Sequence, residues 1–389
     1  MKIFQVKKIV RAVTLSFFVS AALTGCALPF GGSGAGGETR SSVTDTSLTL
    51  DQRVDRIVAD MPLDEKVGQL FIVGIHGGEL NSDSKFILNE FKFGGIILFD
   101  RNMQTKAQVT ELNRQLQAAA REKQTLPLFL AVDQEGGAVA RLQRELVTVP
   151  AAADLGRGDV SEAAAYAKRS ARELNDIGFN VNFAPDADLG LANGRSFSTS
   201  DPQRVSDFAG AVAWAYKGEG LIFSLKHFPG IGRTESDLHV EGNTITADYD
   251  TLKATDLKPF EALIPQFAAS DFMVMVSHAK YLALDPQYPA SLSPRILTDL
   301  LRKEERFNGI IITDDLEMGA VANHYSFAEM AVQSFTAGAD ILLVCHEYAH
   351  MEEAYNGMMK AVKSGQISRQ RLDASVKRIV RMKLVKLVE

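Results

Sequence analysis

The feature that most restricts how this chain can fold is a rhythm of short apolar runs rich in Ile, Val and Phe, alternating with longer stretches of helical spacing. The runs fall at 70–74, 95–99, 128–132, 181–184, 221–225, 272–276, 310–312 and 341–344. Runs of four or five apolar residues, bounded by turn residues and without a polar alternate, read as strands buried on both faces, as in parallel sheets. Helical patterns fill 106–121, 161–175, 204–216 and 326–337 between them. About eight such strand-helix units match the count of a (β/α)8 barrel, an α/β TIM-type fold. A doubly wound open sheet is the alternative.

The unusual residues decide between the two. Asp133, Gln134 and Glu135 with Gly136 and Gly137 follow the third run, Pro185 and Asp186 the fourth, Lys226 and His227 the fifth, Ser277 and His278 the sixth, and Thr313, Asp314 and Asp315 the seventh. In a barrel these C-terminal strand ends converge on one mouth, where such enzymes keep their chemistry, whereas an open sheet spreads them along an edge. A single barrel over residues 50–389 is therefore expected, with two further helical patterns after 344 and no C-terminal second domain.

Past the fifth run the chain breaks at Pro229, Gly230 and Gly232 and then carries Asp237 and His239, two residues apart. At that spacing a carboxylate reaches one imidazole nitrogen and leaves the other free, which is the construction of a general acid/base. Taken alone the pattern is short, and an incidental surface loop reads the same way.

The N-terminus has the layout of a secretory signal. Lys2, Lys7, Lys8 and Arg11 precede an apolar run from 12 to 23 that is too short for a good membrane span. Leu23, Thr24, Gly25 and Cys26 resemble a lipobox, which implies cleavage before Cys26 and lipidation of that residue. Four positive and no negative charges precede Cys26, so their loss takes the net charge from −6 to about −10. An acidic body argues against nucleic acid as a partner. Residues 26–49, rich in Gly, Ser and Thr, read as a flexible tether. Cys345, the other cysteine, sits in an apolar run and reads as a buried free thiol, so no disulfide is expected.

Taken together, five motifs resemble glycoside hydrolase family 3, in its β-N-acetylglucosaminidase (β-hexosaminidase) branch. They are the 133–141 stretch from Asp133 to Arg141, the Gly194-Arg195-Ser196-Phe197-Ser198 segment with Asp201-Pro202, Lys226-His227-Phe228-Pro229-Gly230, Asp237 with His239, and 313–318. The resemblance covers about residues 63–343. It implies a retaining hydrolase with Asp314 as nucleophile, because an oxocarbenium-like transition state needs a negative group beside the anomeric carbon. His239 would be the acid/base, oriented by Asp237. Asp133, Arg141, Arg195, Lys226 and His227 would hold the N-acetylglucosamine ring. The substrate implied is a terminal N-acetylglucosaminide of cell-wall (peptidoglycan) fragments or chitin-type oligosaccharides, handled outside the cytoplasm by a lipoprotein that Cys26 anchors to a membrane.

The pattern departs from the family at Ile231 and Arg233, where relatives commonly carry His and Asp, and Arg233 is a candidate contact for an anionic leaving group. No cofactor is expected and no metal. Asp186-Ala187-Asp188 has a faint calcium-loop look but lacks the remaining ligands and reads as a strand end. Asp315 is expected to cap the following helix, and Arg141 has Glu135 as its most obvious structural partner. A β-glucosidase or a phosphorylase of the same fold stays open at this point. So does a non-catalytic sugar-binding lipoprotein, against which the presence of Asp314, Asp237 and His239 together argues.

Overall fold

The computed structural model describes residues 43–191, 193–234, 238 and 240–388. The expected acid/base pair Asp237 and His239, and the expected lipidation site Cys26, lie outside the described residues. So do the signal-like segment and most of the tether.

Eight parallel strands close into a barrel: β1 (Phe71–Gly74), β2 (Gly95–Ile97), β3 (Phe129–Val132), β4 (Val181–Asn182), β5 (Ile222–Phe228), β7 (Phe272–Val276), β9 (Ile310–Asp315) and β10 (Ile341–Val344). Two short strands, β6 (Thr244–Ile245) and β8 (Lys280–Tyr281), pair parallel to each other in loops beyond β5 and β7. All eight expected apolar runs are barrel strands. Each is buried on both faces, β5 along all seven of its residues. Helices wrap the outside, among them Lys106–Lys123, Val160–Asp176, Pro202–Gly218, Phe327–Ala337, Tyr348–Ser364 and Arg369–Lys383. Side chains close the N-terminal ends of most of them. Asp201 accepts from the amides of Gln203 and Arg204 ahead of Pro202, and Ser326 forms a capping box with Glu329.

The stretch expected to be a tether holds folded chain at its end. Val43 is buried, Arg53 donates to its carbonyl at 2.5 Å, and Thr49 caps the helix Leu50–Asp60.

Two irregularities position the site. Between Leu225 and Phe228, β5 sets two residues, Lys226 and His227, against the single Met275 of β7. Between Ile312 and Asp315, β9 sets Thr313 and Asp314 against the single Leu342 of β10. An extra residue of this kind breaks the ladder locally and re-aims the side chains that carry it. The peptide bonds Lys226-His227, Phe228-Pro229 and Ala184-Pro185 are cis.

Candidate active site

β5 delivers a buried cation into a ring of carboxylates. Lys226 Nζ lies 3.0 Å from Asp133 Oδ1 and 2.6 Å from Glu135 Oε1. Glu135 also accepts both arms of Arg195, Nε at 2.8 Å and a terminal nitrogen at 2.8 Å. Burial alone would raise the Glu135 pKa, but Lys226 and Arg195 outweigh it and hold the carboxyl well below its usual range. The same two acids drive Lys226 upward against its own burial. Glu135 is therefore an ionised hub and not a proton donor.

His227 is held by a second carboxylate. Asp188 Oδ2 takes its Nδ1 at 2.7 Å and its backbone amide at 3.1 Å, while Oδ1 takes the amide of Ile231 at 2.8 Å. Burial pulls the imidazole pKa down, but Asp188 overrides it and raises the value above 6.5. With Nδ1 occupied, Nε2 remains for the cavity that His227 lines. The loop beyond packs tightly. A Cβ at Gly232 would stand 1.6 Å from the Leu189 carbonyl oxygen, and Gly230 has φ +117°, so both positions require glycine.

At the end of β9, Asp314 accepts the amide of Asp315 at 2.8 Å. Burial raises its pKa, but His227 and His278 facing it bring the net value below the ordinary 3.8, leaving an anion. His278 places Nε2 2.8 Å from the Asp315 carbonyl and Nδ1 2.7 Å from Ser291 Oγ. A carbonyl only accepts, so the Nε2–H tautomer follows. Burial lowers the His278 pKa against the pull of Asp314 and Asp315.

These groups surround one cavity of about 200 Å³ at the C-terminal mouth, lined by Asp133, Arg141, Arg195, Lys226, His227 and Asp314 among others. The six described residues that the resemblance implies as nucleophile and ring-holding groups thus meet in one place. The volume lies below the common range for small-molecule pockets, roughly 300–1,000 Å³, and suits a single sugar ring.

Three expectations are corrected. Arg141 pairs with Asp100 at 2.7 Å, not with Glu135, which Arg195 occupies. Asp315 does not cap a helix. It belongs to β9, accepts from the amides of Glu317 and Cys345 at 3.1 and 3.2 Å, and lies 3.2 Å from His346 Nε2, while the helix Gly319–Ala322 has no side-chain cap. Arg233 spends its charge on Asp256 at 2.7 Å and donates to Thr255 at 3.0 Å. Cys345 is a buried free thiol in the cavity wall, and burial raises its pKa well above the usual range.

Asp186, Asp188 and His227 bring three possible metal ligands within 4.8 Å of one another. Hydrogen bonds already use both Asp188 oxygens and His227 Nδ1. Asp186 differs, since neither of its oxygens has a hydrogen-bond donor although Arg195 Nε is 3.3 Å from Oδ2. Burial, with Glu135 nearby, pushes its pKa up to about 7.

The glycosyl hydrolase family 3 N-terminal domain model matches residues 62–382. The chain belongs to that family. It is 33% identical over 332 residues to a β-hexosaminidase A of Pseudoalteromonas piscicida, covering 76% of this chain and 54% of that protein. To a β-hexosaminidase of Stenotrophomonas maltophilia strain K279a it is 35% identical over 288 residues, covering 71% of this chain and 83% of the other. A solved family 3 β-N-acetylglucosaminidase from a Paenibacillus strain superposes with a TM-score of 0.81 at 36% identity, over 84% of this chain and 63% of that one. The family 3 chain thus spans about half of the first relative and most of the second.

Proposed function

We propose that this protein is a retaining exo-acting β-N-acetylglucosaminidase that removes terminal N-acetylglucosamine from cell-wall fragments or chitin-type oligosaccharides. The observation that carries the proposal is Asp314, an anionic carboxylate at the end of β9, over a one-sugar cavity whose other acids are engaged. The names of the relatives, β-hexosaminidases and a β-N-acetylglucosaminidase, support the choice of sugar.

In the first step an Asp314 oxygen bonds to the anomeric carbon as the glycosidic C–O bond breaks, and the leaving oxygen takes a proton from His239. In the second, water gives its proton back to His239 and its oxygen to the anomeric carbon, releasing Asp314. Assignment of the proton to the loop that carries Asp237 and His239 is supported by elimination among the described cavity acids. Lys226 binds Asp133, Lys226 and Arg195 bind Glu135, and two amides with His346 occupy Asp315. Asp133, Arg141, Arg195, Lys226 and His227 bind the ring: the acid accepts from hydroxyls and the cations donate to oxygens.

We also propose that Cys26 is lipidated and tethers the barrel to a membrane outside the cytoplasm. The sequence pattern at 23–26 supports this. No helix among the described residues is long and apolar enough to cross a membrane.

A 5-fluoro N-acetylglucosaminyl fluoride, which keeps the 2-acetamido group, tests the mechanism. Peptide mapping should find the trapped sugar on Asp314, and Asp314→Asn should lose turnover by roughly a thousandfold or more. Label on Asp133 or Asp315, or near-normal turnover by Asp314→Asn, overturns the assignment. Product analysis with added phosphate separates hydrolysis from phosphorolysis.

A further inference from the structure

His346, just past the end of β10, lines the one-sugar cavity together with Asp314 and Asp315, yet the proposed chemistry gives it no part. Its backbone is pinned from two sides. His76, beyond β1, donates from Nε2 to the His346 carbonyl at 2.6 Å, and the amides of His346 and Glu347 donate to the Glu317 carboxylate beyond β9.

The ring is engaged at both nitrogens. Nδ1 lies 3.0 Å from a terminal nitrogen of Arg101, and Nε2 lies 3.2 Å from Asp315 Oδ2. A guanidinium only donates, so in the neutral ring Nδ1 accepts and the proton sits on Nε2, facing Asp315. Asp315 raises the imidazole pKa above 6.5, while Arg101 opposes the charge. Arg101 is itself held: Nε donates to the Ile75 carbonyl at 3.1 Å, the other terminal nitrogen donates to the Cys345 carbonyl, and the guanidinium lies over the Phe99 ring at 4.7 Å. One hydrogen-bonded chain thus runs from the turn after β2, through the imidazole, to the end of β9.

That chain ends next to the nucleophile. Pairing of β9 with β7 stops at Thr313, and the bulge against β10 skips Asp314, so the ladders leave the direction of its side chain open. What ties down this strand end is the Asp315 carboxylate. Its Oδ1 takes the amides of Glu317 and Cys345, and its Oδ2 takes the His346 ring. The Asp315 amide in turn donates to Asp314 Oδ1 at 2.8 Å, so a displacement of residue 315 reaches the Asp314 carboxylate directly.

We infer that His346 is a positioning residue: by holding Asp315 it sets the direction from which Asp314 meets the anomeric carbon. The inference rests on the proposed role of Asp314 as nucleophile. Inactivation by the 5-fluoro N-acetylglucosaminyl fluoride reads this role apart from proton donation, because fluoride departs with little help from an acid. Its first-order rate constant belongs to the folded enzyme alone, so loss of folded protein does not change it.

His346→Ala should lower the inactivation constant and kcat by roughly tenfold and leave KM within about twofold. His346→Gln places an amide N–H where Nε2–H stood, and should return both constants to within about threefold of wild type. Asp315→Asn turns a donor toward the ring and breaks the link, so adding His346→Ala to it should cost less than about a further twofold. Wild-type constants in His346→Ala, no recovery in His346→Gln, or a further tenfold loss in the Asp315→Asn background overturns the inference and leaves the nucleophile standing. Sugar label away from Asp314 in the wild type overturns the nucleophile and the inference with it.

Discussion

Lys226 and Glu135 stand 2.6 Å apart, buried, with Arg195 closing the same carboxylate from the other side. Removing one partner from such a group strands the charges of the others. Glu135→Gln should therefore cost about 3 kcal/mol of stability, as breaking buried ion pairs does. Asp133→Asn, at the more open edge of the cavity, should cost less than about 1 kcal/mol and act mainly on KM. Urea unfolding and steady-state kinetics on the two variants check this.

Asp186 predicts a pH effect whose sign is fixed. Its pKa rises from 3.8 in the unfolded chain to about 7 in the folded one. The folded protein then holds a proton that the unfolded chain releases, so this group's contribution is fully present below about pH 4 and is lost as pH rises to about 7. Asp186→Asn keeps the shape without the buried charge. Relative to wild type, it should gain stability between about pH 4 and pH 7 and level off above that, as read from urea midpoints. A constant difference across that range would contradict the raised pKa.

Asp315 should prove a brace and not a second nucleophile. Its carboxylate joins β9 to Cys345 and Glu317 through amide hydrogen bonds, each worth about 1.5–3 kcal/mol when the acceptor is charged. Asp315→Asn should lower stability by about that amount and keep activity within roughly tenfold of wild type, whereas Asp314→Asn should keep the fold and lose turnover.

The Cys345 thiol should be inert in the native protein. It is 1% exposed and its pKa is raised well above the usual range by burial. Iodoacetamide at pH 8 should leave it unmodified until urea unfolds the barrel, and peptide mass mapping reads the difference.

Much of this architecture was legible before any coordinates. The strands were continuous apolar runs of the right length, and the acids and cations that followed five of them could share a mouth only in a closed barrel. What could not be read was partnership. Arg141 and Arg195 are both cations near Glu135 in type, yet which one reaches it depends on where β3 and the 193–198 segment meet in space, across 60 residues of sequence. Asp188 looked like part of a strand end because its role, bracing His227, exists only through the pairing geometry of β4 and β5. Asp315 followed the usual logic of an acid before a helix, but β9 continues through it and commits its side chain to β10.

The paired bulges of β5 and β9 also bear on how such an enzyme can diversify. Lys226, His227 and Asp314 are placed by strands that neighbours lock on both sides, while Arg141 and Arg195 come from the loops beyond β3 and β4. Insertions or exchanges in those loops can therefore reshape the cavity wall without displacing Asp314. Descent with variation has one compartment in which to experiment and another that it must leave alone.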